Sequence, residues 1–270
     1  MSGAPAVFVH AVKADESVFQ LMYLQNVSVL VENLVLTGGT SNDGAGMWIR
    51  SCDDLVVRNC TITGNNAGRW GGGAYVYDMS ANNPIGVQFV DCVFSGNTAN
   101  EGGGLYVDNV FAQRLVITDC EISGNSASNH GGGLEISEGI IAIEGTSVIG
   151  NDSPGHGGGL RVINSSNDLV SLTDSVVSGN TASCGGGIAC YSGIVTGGVV
   201  RGNTAIYGGG FWFEDSQPTL NGMLVQENHA IGNGGGIYTP GDDAYPDVIA
   251  ATVCGNTPNQ VWHIEGDATN

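Results

Sequence analysis

Gly96-Asn97-Thr98-Ala99-Asn100-Glu101-Gly102-Gly103-Gly104-Leu105-Tyr106-Val107 joins a Gly-Asn pair, a short run of small residues, a glycine triplet and an apolar alternation. The pattern recurs seven times, starting at Gly64, Gly96, Gly124, Gly150, Gly179, Gly202 and, in weaker form, Glu227. A degenerate forerunner begins at Leu36, and a truncated last copy at Cys254. Successive triplets start at 71, 102, 131, 157, 185, 208 and 234, a spacing of 23 to 31 residues. A period of this size marks a repeat architecture.

Between the copies, apolar residues alternate with the period of a strand, as in Val87, Phe89, Cys92 and Phe94 or Leu115, Ile117, Cys120 and Ile122. Helical periodicity is absent across the repeats. Each unit is thus a set of short strands turned by glycine corners, and a unit that small cannot bury its apolar face alone. Stacking is compulsory, and coils about 4.8 Å apart bring equivalent residues into line. Asn65, Asn97, Asn125, Asn151, Asn180, Asn203 and Asn228 are then expected to form a ladder, amide to amide or amide to corner backbone. A propeller blade of about 40 residues or more is too long for these units. The expected fold is all-β, a single right-handed parallel β-helix of about eight coils over residues 27–260. Residues 1–26 are expected to form an incomplete first coil or a cap over the open end, and 261–270 a tail.

Composition narrows the partners. Seven lysines and arginines face 26 aspartates and glutamates, a formal net charge of −19. Nucleic acid is excluded, because phosphate binding needs clustered cations, and an anionic membrane surface is disfavoured for the same reason. Membrane insertion is not expected, since no run of 18 apolar residues occurs. Residues 1–10 have neither the basic region nor the apolar length of a signal peptide. The 45 glycines, the acidity and the scarcity of lysine suit an exported chain, so an extracellular or cell-surface location is expected, with the export signal missing from this stretch. Of seven cysteines, Cys60, Cys92 and Cys120 fall four residues before a Gly-Asn pair, where later copies carry Thr146, Ser175 and Gly198. That column reads as small buried residues with free thiols. Cys184 and Cys190 are near enough to bridge, although Cys190 falls at a core position.

The repeated pattern resembles the pectin-lyase-like right-handed β-helix superfamily, and in particular the passenger repeats of polymorphic outer-membrane proteins. Their F-x-x-N and GGA-type motifs have counterparts in Phe94-Ser95-Gly96-Asn97 and Gly72-Gly73-Ala74. The resemblance implies the fold, and it implies polysaccharide lyase chemistry as common in the superfamily. Gly155-His156-Gly157 and Asp53-Asp54 look like elements of polygalacturonases, but about four coils separate them where that family brings them together on neighbouring coils, so the assignment is rejected.

Aligning the strand after each triplet gives inward first and third positions and an outward second position. The second position reads Trp48, Tyr75, Tyr106, Glu135, Arg161, Ala189, Trp212 and Tyr238, and the fourth includes Arg50, Tyr77, Asp108, Tyr191 and Glu214. Seven of the twelve tryptophans and tyrosines fall on these columns. Aromatic platforms on both sides of polar groups suit a polysaccharide or cell-surface glycan, so Trp48, Tyr75, Tyr77, Tyr106, Tyr191, Trp212 and Tyr238 are the expected sugar-binding residues. The bland alternative is a ladder that stabilises the sheet of a structural or adhesive stalk. Catalytic candidates are Asp108, Glu135 and Arg161: paired carboxylates would serve a glycoside hydrolase, and an arginine beside an acidic calcium site a lyase. Glu135 and Arg161 also read as a surface ion pair. His130 and His156, with Glu101 at the equivalent place one coil earlier, form a potential ligand set, but solvated corner residues are the commoner outcome. An ice-binding face is excluded, because the column Thr63, Ser95, Ser123, Ile149, Ser178, Arg201, Gln226 is irregular. Calcium is the cofactor that acidity leaves open, with Asp242, Asp243 and Asp247 as the densest cluster; the oligomeric state stays undetermined.

Overall fold

A computed structural model describes residues 7–10, 16–24, 28–52, 54–77, 86–108, 110–163, 169–191, 194–214, 219–240 and 246–263. The described chain is built from strands, with no helix long and apolar enough to cross a membrane. A complete turn visits four sheets in order. In one turn these are Leu34–Thr37, Thr40–Asp43, Met47–Arg50 and Asp54–Arg58, and the chain then returns to the first sheet at Thr61–Thr63. Among the described residues the four sheets hold 10, 8, 10 and 9 strands, all paired parallel with the equivalent strand one turn away. The molecule is therefore a parallel β-solenoid of about eight turns. Strands outside residues 27–260 join it: Val7–His10 pairs with Leu34–Thr37, Phe19–Met22 with Met47–Arg50, and Val261–His263 with Ile237–Thr239.

Register follows the repeat. Ala74, Tyr75, Val76 and Tyr77 pair with Leu105, Tyr106, Val107 and Asp108, and Leu105, Tyr106 and Val107 with Leu134, Glu135 and Ile136. First and third positions enter one continuous core, with Met47, Leu105, Leu134, Ile188 and Phe211 all fully buried. Triplet glycines are required by close approach. A Cβ on Gly103 would lie 2.5 Å from the carbonyl oxygens of both Gly132 and Ser126, so no side chain fits there.

The asparagine ladder forms as expected. Asn97 Nδ2 and its backbone N–H both donate to Asn125 Oδ1 at 3.0 Å, and Nδ2 also donates to the Ile62 carbonyl. The arrangement repeats from Asn65 through Asn228 and continues to Asn256, whose amide donates to Gln260 Oε1. Buried amides are satisfied in full, which removes the penalty of placing them inside. All seven cysteines are thiols, so the Cys184–Cys190 bridge does not form. Cys60, Cys92 and Cys120 are buried and stacked, and the Cys92 backbone N–H donates to Cys120 Sγ at 3.3 Å.

Candidate functional site

The outer face of the third sheet forms the floor of a groove at its corner with the second sheet. The alternation that sends Ala74 and Val76 into the core sends Tyr75 to the other side. One wall comes from the residue before each glycine triplet, where Trp70, Glu101 and His130 are in register, followed by His156, Cys184 and Tyr207. The other comes from the fourth strand position, with Arg50, Tyr77 and Asp108 in register. Near the amino-terminal end the groove deepens to a pocket of about 310 Å³ lined by Asp43, Trp48, Arg50, Trp70, Tyr75, Tyr77 and Asp108.

The floor is less open than its outward direction implied. Tyr75, Tyr106 and Trp212 are 4%, 7% and 5% exposed, although none belongs to the central core. The wall residues cover them. Trp70 packs on Tyr75 and Tyr106 with ring centroids 5.7 and 5.8 Å apart, and His156 meets the Trp212 ring edge-on at 4.4 Å. Trp48, Tyr77, Asp108, Tyr191 and Tyr238 keep part of their surface open. Ring contacts link Trp70, Tyr75, Tyr77 and Tyr106 at one end and His130, His156, Tyr191 and Trp212 further along; Tyr207 and Tyr238 meet with tilted rings at 5.1 Å beyond them.

Between the aromatic groups lies a polar plug. Glu135 and Arg161 are not a surface ion pair: Glu135 is wholly buried and Arg161 is 8% exposed, with Arg161 Nη1 donating to Glu135 Oε1 at 2.7 Å. They are buried because Glu135 stacks between Tyr106 and Arg161 on the floor, beneath the corner of the second sheet. Burial pushes the Glu135 carboxyl up to about 8, against the pull of Arg161. Arg161 is held above its ordinary value by Glu135 and Tyr191, which outweigh the cost of its burial. Glu135 Oε2 and Arg161 Nε are buried with no hydrogen-bond partner. Arg161 Nη2 donates to the Tyr191 hydroxyl at 3.3 Å, which in turn lies 3.3 Å from His156 Nδ1.

His130 and His156 are half-buried parts of this wall, with rings 5.0 Å apart. The His156 backbone N–H donates to His130 Nδ1 at 3.1 Å. Burial, helped by Arg161 and His156, lowers His130 to about 4, and burial and Arg161 lower His156. Among the described residues no three His, Cys, Asp or Glu side chains are placed to hold a metal ion. Asp242 and Asp243 lie outside the described residues, and Asp247 is exposed.

The structure thus brings Trp48, Tyr75, Tyr77, Tyr106 and Asp108 together, and Glu135, Arg161, Tyr191 and Trp212 together, while Tyr238 joins Tyr207. Sequence reasoning missed Trp70 and Tyr207 as groove residues. Their signal was present in the column before the glycine triplets, which the histidines had already marked.

A family model described as a right handed beta helix region matches residues 7–169, more than half of the chain. A second, described as a Chlamydia polymorphic membrane protein repeat, matches residues 222–240. No curated protein and no solved structure matches the chain.

Proposed function

The chain belongs to the right-handed β-helix family, and on that frame we propose that it is a surface protein that binds polysaccharide along the groove between the second and third sheets. The observation that carries the reading is the run of aromatic rings along one outer face, interrupted by hydrogen-bonding groups, on a chain with only 12 tryptophans and tyrosines. Ring faces with a few fixed polar groups suit sugar rings. The accessible contacts are Trp48, Tyr77, Tyr191 and Tyr238, with Tyr75, Tyr106 and Trp212 supporting them from the floor. The surface location rests on the polymorphic membrane protein repeat together with the acidic, glycine-rich composition.

Glu135 is sealed from solvent, and Arg161 is committed to it; their best role is to position Tyr191 and His156. The burial of Tyr75, Tyr106 and Trp212 favours a second reading, a structural or adhesive stalk whose aromatic ladder ties coils together.

Affinity electrophoresis against a panel of neutral and charged polysaccharides separates the two, run beside assays for reducing ends and for unsaturated products. Retardation that Tyr77→Ala and Tyr191→Ala each weaken at least tenfold, with unchanged circular dichroism, supports the groove. Silence across the panel overturns it in favour of the stalk.

A further inference from the structure

We infer that His130 and His156 form an acid-released cover over a closed stretch of the groove, a sugar subsite made of the Trp212 ring and two buried polar atoms of Glu135 and Arg161. The opening stands by itself, while its role in binding rests on the glycan-binding reading above.

The closed stretch holds groups suited to a ligand and hides them. Glu135 Oε2 and Arg161 Nε are buried with no hydrogen-bond partner, an arrangement whose cost falls once water or a sugar hydroxyl reaches them. Glu135 Oε2 sits against the corner next to His130, 2.8 Å from where a Cβ on Gly131 would lie. Trp212 is 5% exposed, and the nearest of the rings against it is His156, edge-on at 4.4 Å. His156 reaches it across Ala189, the small floor residue between Arg161 and Trp212. A ring face with a few fixed polar groups is what a sugar subsite needs.

Hydrogen bonds seat both imidazoles in the neutral state. The His156 backbone N–H donates to His130 Nδ1 at 3.1 Å, so that nitrogen carries a lone pair and the His130 proton is on Nε2. A second proton on His130 would set N–H against N–H. At His156 the Tyr191 hydroxyl oxygen, 3.3 Å from Nδ1, already accepts from Arg161 Nη2. A doubly protonated His156 would have to share that oxygen with a guanidinium.

The surrounding charge acts in the same direction. Among the described residues, the titratable groups facing the two rings are Glu101 and Cys184 on the second sheet, and Glu135, Arg161, Tyr191 and Glu214 on the third. Arg161 opposes a further cation, and Glu135, which keeps its own proton below about 8, adds no countercharge there. Glu101 accepts from Trp70 Nε1 and Asn129 Nδ2, and Glu214 acts on Cys184 and Tyr191. Burial, then Arg161 and His156, lower His130 to about 4, and burial and Arg161 lower His156. The covered form thus binds fewer protons than an open form whose imidazoles titrate near the ordinary 6.5. It is favoured above that pH and loses ground as pH falls from 6.5 towards 4.

Hydroxyl-radical footprinting read by mass spectrometry, in half-unit steps from pH 7.5 to 4, measures Trp212 oxidation against that of Trp48, with circular dichroism reporting the fold. The expected result is at least a fivefold rise in this ratio between pH 6.5 and 4 with an unchanged spectrum. His156→Ala should raise the ratio already at pH 7.5. His130→Asn combined with His156→Phe keeps an acceptor and a ring without a titrating imidazole, and should hold the ratio low throughout. A flat wild-type ratio, a rise only where the dichroism signal is lost, or a rise that survives in the double variant overturns the inference. Affinity electrophoresis at pH 7.5 and 5 tests the link to binding: a polysaccharide held by the wild type should be held at least fivefold tighter at pH 5, a gain that the double variant lacks. Opening without that gain overturns the subsite and leaves the glycan reading standing. Opening with silence across the panel at both pH values overturns the glycan reading and the subsite with it, while the cover stands.

Discussion

Arg161 Nη1 donates to Glu135 Oε1 across 2.7 Å on adjacent coils, in a pair whose carboxyl group is wholly closed to solvent. Desolvating such a pair costs much of what its attraction returns, so it is weak evidence for stability and better evidence for placement. Arg161 carries that placement on to Tyr191 and His156.

The pair and its neighbour His130 make stability depend on pH with opposite signs. Glu135 titrates at about 8 in the fold against an ordinary 4.5, so the native state holds the extra proton and stability falls as pH rises through that range. His130 titrates at about 4 against 6.5, so the native state lacks a proton and stability rises with pH between those values. The two oppose each other below about 6.5, leaving a fall between about 6.5 and 8. Denaturant midpoints measured from pH 5 to 9 should show that fall in the wild type and a flatter profile in Glu135→Gln.

Asn125→Ala should destabilise the solenoid by at least about 3 kcal/mol. Its Oδ1 accepts from the backbone and side-chain amides of Asn97, and its Nδ2 donates to the Phe94 carbonyl and to Asn151. Removing it leaves several buried groups without partners at once. Urea melts followed by circular dichroism read the loss, and a change below about 1 kcal/mol would mean that the ladder relaxes around the gap.

Two glycine substitutions should separate steric from conformational demand. Gly103→Ala drives a Cβ to 2.5 Å from two backbone carbonyls and is expected to cost more than about 3 kcal/mol. Gly96, at φ 61°, has open space around its would-be Cβ, so Gly96→Ala should cost only the left-handed strain of about 1–2 kcal/mol. Equal melting temperatures for the two variants would contradict this.

Thiol labelling should follow burial. Cys254 is exposed and should alkylate first, with the half-buried Cys184 next and Cys60, Cys92 and Cys120 protected until the coils open. Burial and bonding to the neighbouring thiol raise Cys92 to about 12, which slows it further; bonding to Cys120 is the larger influence. Mass spectrometry of native protein treated with iodoacetamide gives the order. Cys120→Ser should be tolerated within about 1 kcal/mol, because Thr146 fills the same place and accepts the Cys120 N–H at 3.1 Å.

Much of the fold could be read from the chain because a solenoid converts sequence period into spatial translation. Asn97 and Asn125, or Cys92 and Cys120, are 28 residues apart and end directly stacked, so a column in an alignment becomes a column in space. The side of the sheet was equally legible, since alternation alone sends Tyr75 away from Val76.

Exposure was another matter. Direction away from the core is a local property of one strand, whereas cover comes from another element: Trp70 over Tyr75 and Tyr106, His156 over Trp212. The amino-acid order by itself determined the parallel coils, the asparagine ladder and the aromatic column, all consequences of repetition and alternation. Only the tertiary structure decided that the column is the floor of a groove and that Glu135 and Arg161 form a buried pair, because both depend on the angle at which two neighbouring sheets meet.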